Sequence, residues 1–231
     1  MYHAEAGLST RSTRLFGPAT LPASTFPKES AVTKPPYHAI REMLEMLPEP
    51  NRTSCLRLYD EHRDRFMTAR GSTHNHQAWL GGYHGHIEDA MNYAVLFYRA
   101  EASTGRPIPF TLEDALLAIF LHDLEKPWRF ELVDGEWRNT GLMKSKADRA
   151  AFRWKKIAEY GIVLPSAVEN AIRYAEGEGE DYSPERRVSN ELAGFVHMMD
   201  THSARVRHDY PNHDDPWTGV TVAFAGTENE A

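Results

Sequence analysis

The stretch LLAIFLHDLEKP, residues 116–127, runs six apolar side chains into His122-Asp123 and stops at Pro127. Thr111 with Asp114 makes a capping-box-like start upstream, and Leu112, Leu116, Ile119 and Phe120 follow at helical spacing. Proline cannot continue the helix, so the segment closes there. An imidazole and a carboxylate at the end of so apolar a helix would be costly to bury uncompensated. A bound metal ion compensates that cost.

Outward from this helix the pattern stays helical. Residues 37–47 place Ile40, Met43, Leu44 and Leu47 on one side and stop at Pro48. Residues 53–69 read as one further helix closed by Gly71, and residues 86–100 as another, with Ile87, Ala90, Met91, Ala94, Val95 and Tyr98 on one face. Ser145 with Asp148 and Ser166 with Glu169 are candidate capping boxes for helices closing near Gly161 and Gly177. Ser183-Pro184 is expected to open a last helix through Asp200. Only Trp128–Leu132 and Glu136–Asn139, flanking Val133-Asp134-Gly135, suggest strands, joined as a small hairpin. The expected fold is all-α with a minor β-hairpin. An irregular N-terminal arm over 1–36, a domain over 37–211 and a C-terminal tail over 212–231 complete the layout.

The 231 residues suit one substantial domain. A composition 41% hydrophobic and 26% charged is that of a globular protein, and no apolar run approaches the roughly 20 residues of a membrane span. The single cysteine, Cys55, rules out an internal disulfide framework and fits a reducing compartment, so a cytoplasmic protein is expected. A net charge of −7 argues against charge-driven binding to long nucleic acid but leaves a nucleotide open. Nothing in the sequence sets the oligomeric state.

Histidines cluster in STHNHQAWLGGYHGH, residues 72–86: His74, His76, His84 and His86. His122-Asp123 follows, and then Asp200 in LAGFVHMMDTHSAR, residues 192–205. A histidine from a preceding helix and an aspartate from a later one would complete a mixed nitrogen–oxygen shell. Such a shell suits one divalent transition ion: Mn, Fe, Co, Ni or Zn. Gly81, Gly82 and Gly85 make the segment around His84 read as a tight turn, with His84 a loop residue. Trp79 reads as a core aromatic. Arg129, Lys144 and Arg205 are candidate phosphate contacts, each with a solvated-charge alternative. Glu125, beside the pair, is a candidate proton carrier.

The order His86 … His122-Asp123 … Asp200 resembles the H…HD…D pattern of the HD superfamily of metal-dependent phosphohydrolases. LLAIFLHDLEK is similar to that family's "alllHDigK" helix end. AWLGGYHGHIEDA is similar to the HHAxxGGLxxHxxEV segment of its YhaM-type exoribonuclease and relaxase-associated branches. His76 matches the first histidine of that segment's pair, and Gln77 stands where the second is usual.

The resemblance covers roughly residues 70–206. It implies an HD-domain helical bundle with His86, His122, Asp123 and Asp200 as metal ligands. Asp123 would orient a metal-activated water, while His74, His76, Lys126 and Arg129 would meet substrate phosphate. The implied substrate is a phosphoester or phosphoanhydride of a nucleotide. Dinuclear and oxygenase members add two histidines before the last aspartate, and AIRYAEGEGEDYSP, residues 171–184, has none. A mononuclear site is therefore favoured, with His74 or His84 the candidates for a second-metal ligand. Two other readings stand beside this one: a 3′-to-5′ exonuclease on single-stranded nucleic acid, and a non-catalytic nucleotide-binding HD module.

Overall fold

The computed structural model describes residues 34–73, 76–134, 136–208 and 215–218, with Leu132, Glu136 and Trp137 described by backbone alone. Most of the N-terminal arm and of the C-terminal tail, together with His74, lies outside the described residues. In chain order the elements are α1 (Ile40–Glu45), α2 (Asn51–Glu61), α3 (Arg63–Thr68), α4 (Gly82–Ala102), α5 (Leu112–Leu121) and α6 (Lys126–Arg129). They continue with β1 (Phe130–Val133), β2 (Glu136–Asn139), α7 (Lys146–Glu159), α8 (Ser166–Arg173) and α9 (Glu191–Thr201). A π-helical turn, His202–Val206, follows α9 directly.

Helix α5 is the hub. Every residue of it except Glu113 and Asp114 is buried, as an all-round apolar helix requires, and it packs against α4, α8 and α9. Thr111 caps it by accepting the Asp114 backbone N–H at 3.1 Å. The fully buried rings of Phe66, Tyr83 and Phe120 join α3, α4 and α5, with Phe66 and Phe120 stacked 5.8 Å apart. The two strands pair antiparallel, Phe130 with Asn139 through Val133 with Glu136, around Asp134 at φ +53°. The helical bundle with one small hairpin is as expected.

Several boundaries differ from the sequence reading. The N-terminal helix begins at Ile40 rather than Tyr37, because the Asn92 side chain takes both the N–H and the C=O of His38 into hydrogen bonds of 2.7 and 2.8 Å. The helix expected over 53–69 is two, broken at His62, whose ring lies edge-on to Trp128 and donates from Nε2 to the Tyr160 oxygen at 2.8 Å, the Tyr160 hydrogen going to Glu61. Ser145 and Asp148 do form a reciprocal capping box, but Ser166 does not cap α8, which Pro165 precedes directly. Ser183-Pro184 opens no helix. That stretch is an isolated bridge, and α9 starts at Glu191, where the Asn190 side chain accepts the Ala193 N–H at 2.7 Å.

Candidate metal centre

Helix α4 starts four residues earlier than its apolar period indicates, and this start builds one wall of the site. Gly81 sits at φ +79°, and a Cβ on Gly82 would stand 1.8 Å from the Gln77 carbonyl oxygen. Only glycine allows that approach. Gln77 thereby packs against the first turn of α4, and the His76 ring lies 5.4 Å from that of His86. His84, inside the helix rather than in a loop, turns away to Tyr59, 3.0 Å from its hydroxyl.

His86 from α4, His122 and Asp123 from the end of α5, and Asp200 from α9 converge so that one ligand atom of each lies within 4.8 Å of every other. His86 Nε2 is 3.1 Å from Asp200 Oδ1 and 3.8 Å from Asp123 Oδ2. His122 Nε2 is 3.3 Å from Asp123 Oδ2 and 3.4 Å from Asp200 Oδ1. All but Asp200 are buried to 3% exposure or less; the Asp200 side chain, at 16%, is the face open to solvent.

The tautomers are legible from what lies behind each ring. His122 Nδ1 is 2.7 Å from the Ile119 carbonyl oxygen, which can only accept, so Nδ1 carries the hydrogen and Nε2 presents its lone pair inward. His86 Nδ1 is 3.0 Å from Ser203 Oγ. Both Nε2 atoms are buried without a hydrogen-bond partner, although carboxylate oxygens lie close by. The four groups converge on one small volume. Two imidazole nitrogens and two carboxylates in that arrangement fit a divalent transition ion, though the set does not distinguish which.

The electrostatics agree. Burial would raise Asp123, but Lys126, His122 and His86 outweigh it and hold its carboxyl well below the usual range. Asp200 is likewise buried, and His122 and His86 hold it down. Burial disfavours a charged His122, yet Asp123 and Asp200 pull it up to about 10. Two carboxylates facing inward thus draw positive charge to this point, which a metal ion would supply in place of that proton.

The remaining expected residues divide. Lys126 Nζ lies 2.5 Å from Asp123 Oδ2, and His76 Nε2 is buried without a partner beside the cluster. Burial, with Lys126 and His86, pushes His76 down to about 4. Arg129 lays its guanidinium over the Phe130 ring, 5.0 Å from the centroid, and no ion pair joins it to the four clustered residues. Lys144 and Arg205 are exposed. Glu125 is buried and bonded to Arg153 of α7 at 3.1 Å, a partner with no signal in the sequence.

Gln77, standing where a second histidine was expected by resemblance, is a staple. Its amide donates to the Ser203 and Arg207 carbonyls at 3.0 and 2.9 Å, tying the His76 loop to the π-helical turn. Ser203 itself was missed, although its place three residues after Asp200 could have pointed to it.

Compared with known proteins, the chain matches no family model, no curated relative and no solved structure. The likeness to an HD-type site rests on the His86, His122, Asp123 and Asp200 cluster itself. Among the described residues no helix is long and apolar enough to cross a membrane.

Proposed function

We propose that the protein is a mononuclear metal-dependent phosphohydrolase acting on a phosphoester or phosphoanhydride of a nucleotide. The observation that carries this reading is the convergence of His86, His122, Asp123 and Asp200, with two partnerless buried Nε2 atoms among them. These four residues would hold the ion. A divalent ion there lowers the pKa of a water and polarises a phosphoryl oxygen. Asp123 orients the attacking water. Lys126 and His76 hold phosphate oxygens and stabilise the charge that grows on them. The nucleotide is proposed on the HD resemblance and the residues of the site, and the negative net charge of the chain favours a mononucleotide over a long polymer.

The test is phosphate release from a panel of nucleotides and from a short single-stranded RNA, with Mn, Fe, Co, Ni or Zn supplied in turn. Release from a nucleotide that needs added metal and disappears in Asp200→Ala is expected. A chain that binds the ion yet hydrolyses nothing in the panel would be a nucleotide-binding module, and the enzymatic reading would fall.

A further inference from the structure

Behind His86 the structure holds a buried polar group that the ligand set does not use. Ser203 is fully buried in the π-helical turn that follows Asp200, and its Oγ is 3.0 Å from His86 Nδ1. A serine hydroxyl has one hydrogen to give and two lone pairs to accept with. That hydrogen goes to the His86 carbonyl oxygen at 3.3 Å. Gln77 approaches the same Oγ as a donor at 3.5 Å. With its hydrogen directed to an oxygen, Oγ is left to accept from Nδ1–H. His122 has its carbonyl from Ile119 for the same purpose; His86 has no such carbonyl, and Ser203 stands in its place.

We propose that Ser203 is a positioning residue for the metal centre. Its hydroxyl fixes the Nδ1–H tautomer of His86, so that Nε2 presents a lone pair to the ion, and the His86 carbonyl takes the hydroxyl hydrogen. The inference rests on the metal-centre reading above. The π-helical turn has a function in this account: it joins Asp200, a ligand, to Ser203, the support of the opposite ligand, within one turn of chain. Widened turns of this kind recur at functional sites. The Gln77 amide, bonded to the Ser203 carbonyl, locks the turn in that shape.

The experiment is Zn²⁺ affinity by competition with a chromophoric chelator, on the full chain, for wild type, Ser203→Ala, Ser203→Thr, His86→Ala and the double variant. Loss of an outer-shell partner weakens metal binding by about ten- to hundred-fold. Ser203→Ala is expected to weaken binding by that factor in the wild-type background and by less than about twofold in the His86→Ala background, because the effect passes through His86. Ser203→Thr keeps the hydroxyl and should stay within several-fold of wild type. Equal weakening in both backgrounds would mark a merely structural serine and overturn the proposal, as would wild-type affinity in Ser203→Ala. Should Ser203→Ala fail to fold, a Ser203→Thr variant as weak as His86→Ala overturns it, and one near wild type supports it. A wild-type chain that takes up no Zn²⁺ at all would instead remove the metal-centre reading, and this proposal with it.

Discussion

Lys126 Nζ lies 2.5 Å from Asp123 Oδ2, three residues on in the chain, and both side chains are almost wholly buried. The lysine is therefore bound to one of the four clustered residues as well as poised beside the site. Its two proposed roles pull in opposite directions. As a neighbour of Asp123 it competes with a cation for the carboxylate; as a phosphate contact it supports turnover. Lys126→Met should therefore bind metal at least as tightly as wild type while turnover falls by about 10²–10³, the usual cost of one lost charge-stabilising donor. His76→Ala should lower turnover or raise KM with metal content unchanged. Chelator competition and steady-state kinetics on the same samples check both, and loss of metal in Lys126→Met would contradict the assignment.

His122→Ala removes one inward nitrogen from the end of α5 without touching the apolar face that packs the hub. Far-UV circular dichroism should be near wild type, with hydrolysis lost and no rise in melting temperature on adding metal. Asp123→Ala should lose hydrolysis too, but with a further penalty. It leaves the Lys126 ammonium buried without its carboxylate, at a cost of about 3–5 kcal/mol. Urea midpoints for the two metal-free variants check this: equal stabilities would mean that the pair carries no such coupling.

Gly82→Ala tests the glycine turn that brings His76 over His86. The added Cβ would overlap a backbone oxygen, that of Gln77, which cannot step aside as a flexible side chain could. The expected loss is on the order of 1–3 kcal/mol or more, with the His76 loop displaced. A melting temperature within error of wild type would show that the loop does not press on α4.

Burial pushes Asp89 up to about 7 in the folded chain, against the opposing pull of Ser203 and Arg207 and with support from Asp215. Tyr37 feels the same carboxyl and so does Tyr93, but neither phenol ionises in this range. The folded state therefore keeps a proton that the unfolded state, with an ordinary aspartate near 3.9, gives up. The native chain binds more protons across about pH 4–7, so stability falls as pH rises through that window. Asp89→Asn removes the contribution. Its stability relative to wild type should rise between pH 5 and pH 8, and an offset that stays constant with pH would contradict the raised value.

Much of this was legible in the sequence where one residue's role depended on its own helix. The apolar run of α5, its Thr111 cap and the His122-Asp123 end are local features, and all appear as read. The clustering of His86, His122, Asp123 and Asp200 was legible because their order and spacing carry it, whatever the boundaries of the helices between. Missed features depend on residues distant in the chain. Asn92 pulls His38 out of α1, Tyr160 breaks the helix at His62, and Arg153 pairs with Glu125. The early start of α4 was hidden for a related reason: of its first four residues two are glycines, poor helix formers, and their place is set by contact with Gln77 rather than by helix propensity.

Elemental analysis of the purified chain tests whether His86, His122, Asp123 and Asp200 form one metal centre. Wild type, dialysed after exposure to Mn, Fe, Co, Ni and Zn in turn, should retain close to one equivalent of at least one of these ions. The Asp200→Ala and His86→Ala variants, prepared alike, should retain far less. A wild-type chain that comes through every dialysis metal-free, or variants that hold as much metal as wild type, would contradict the account.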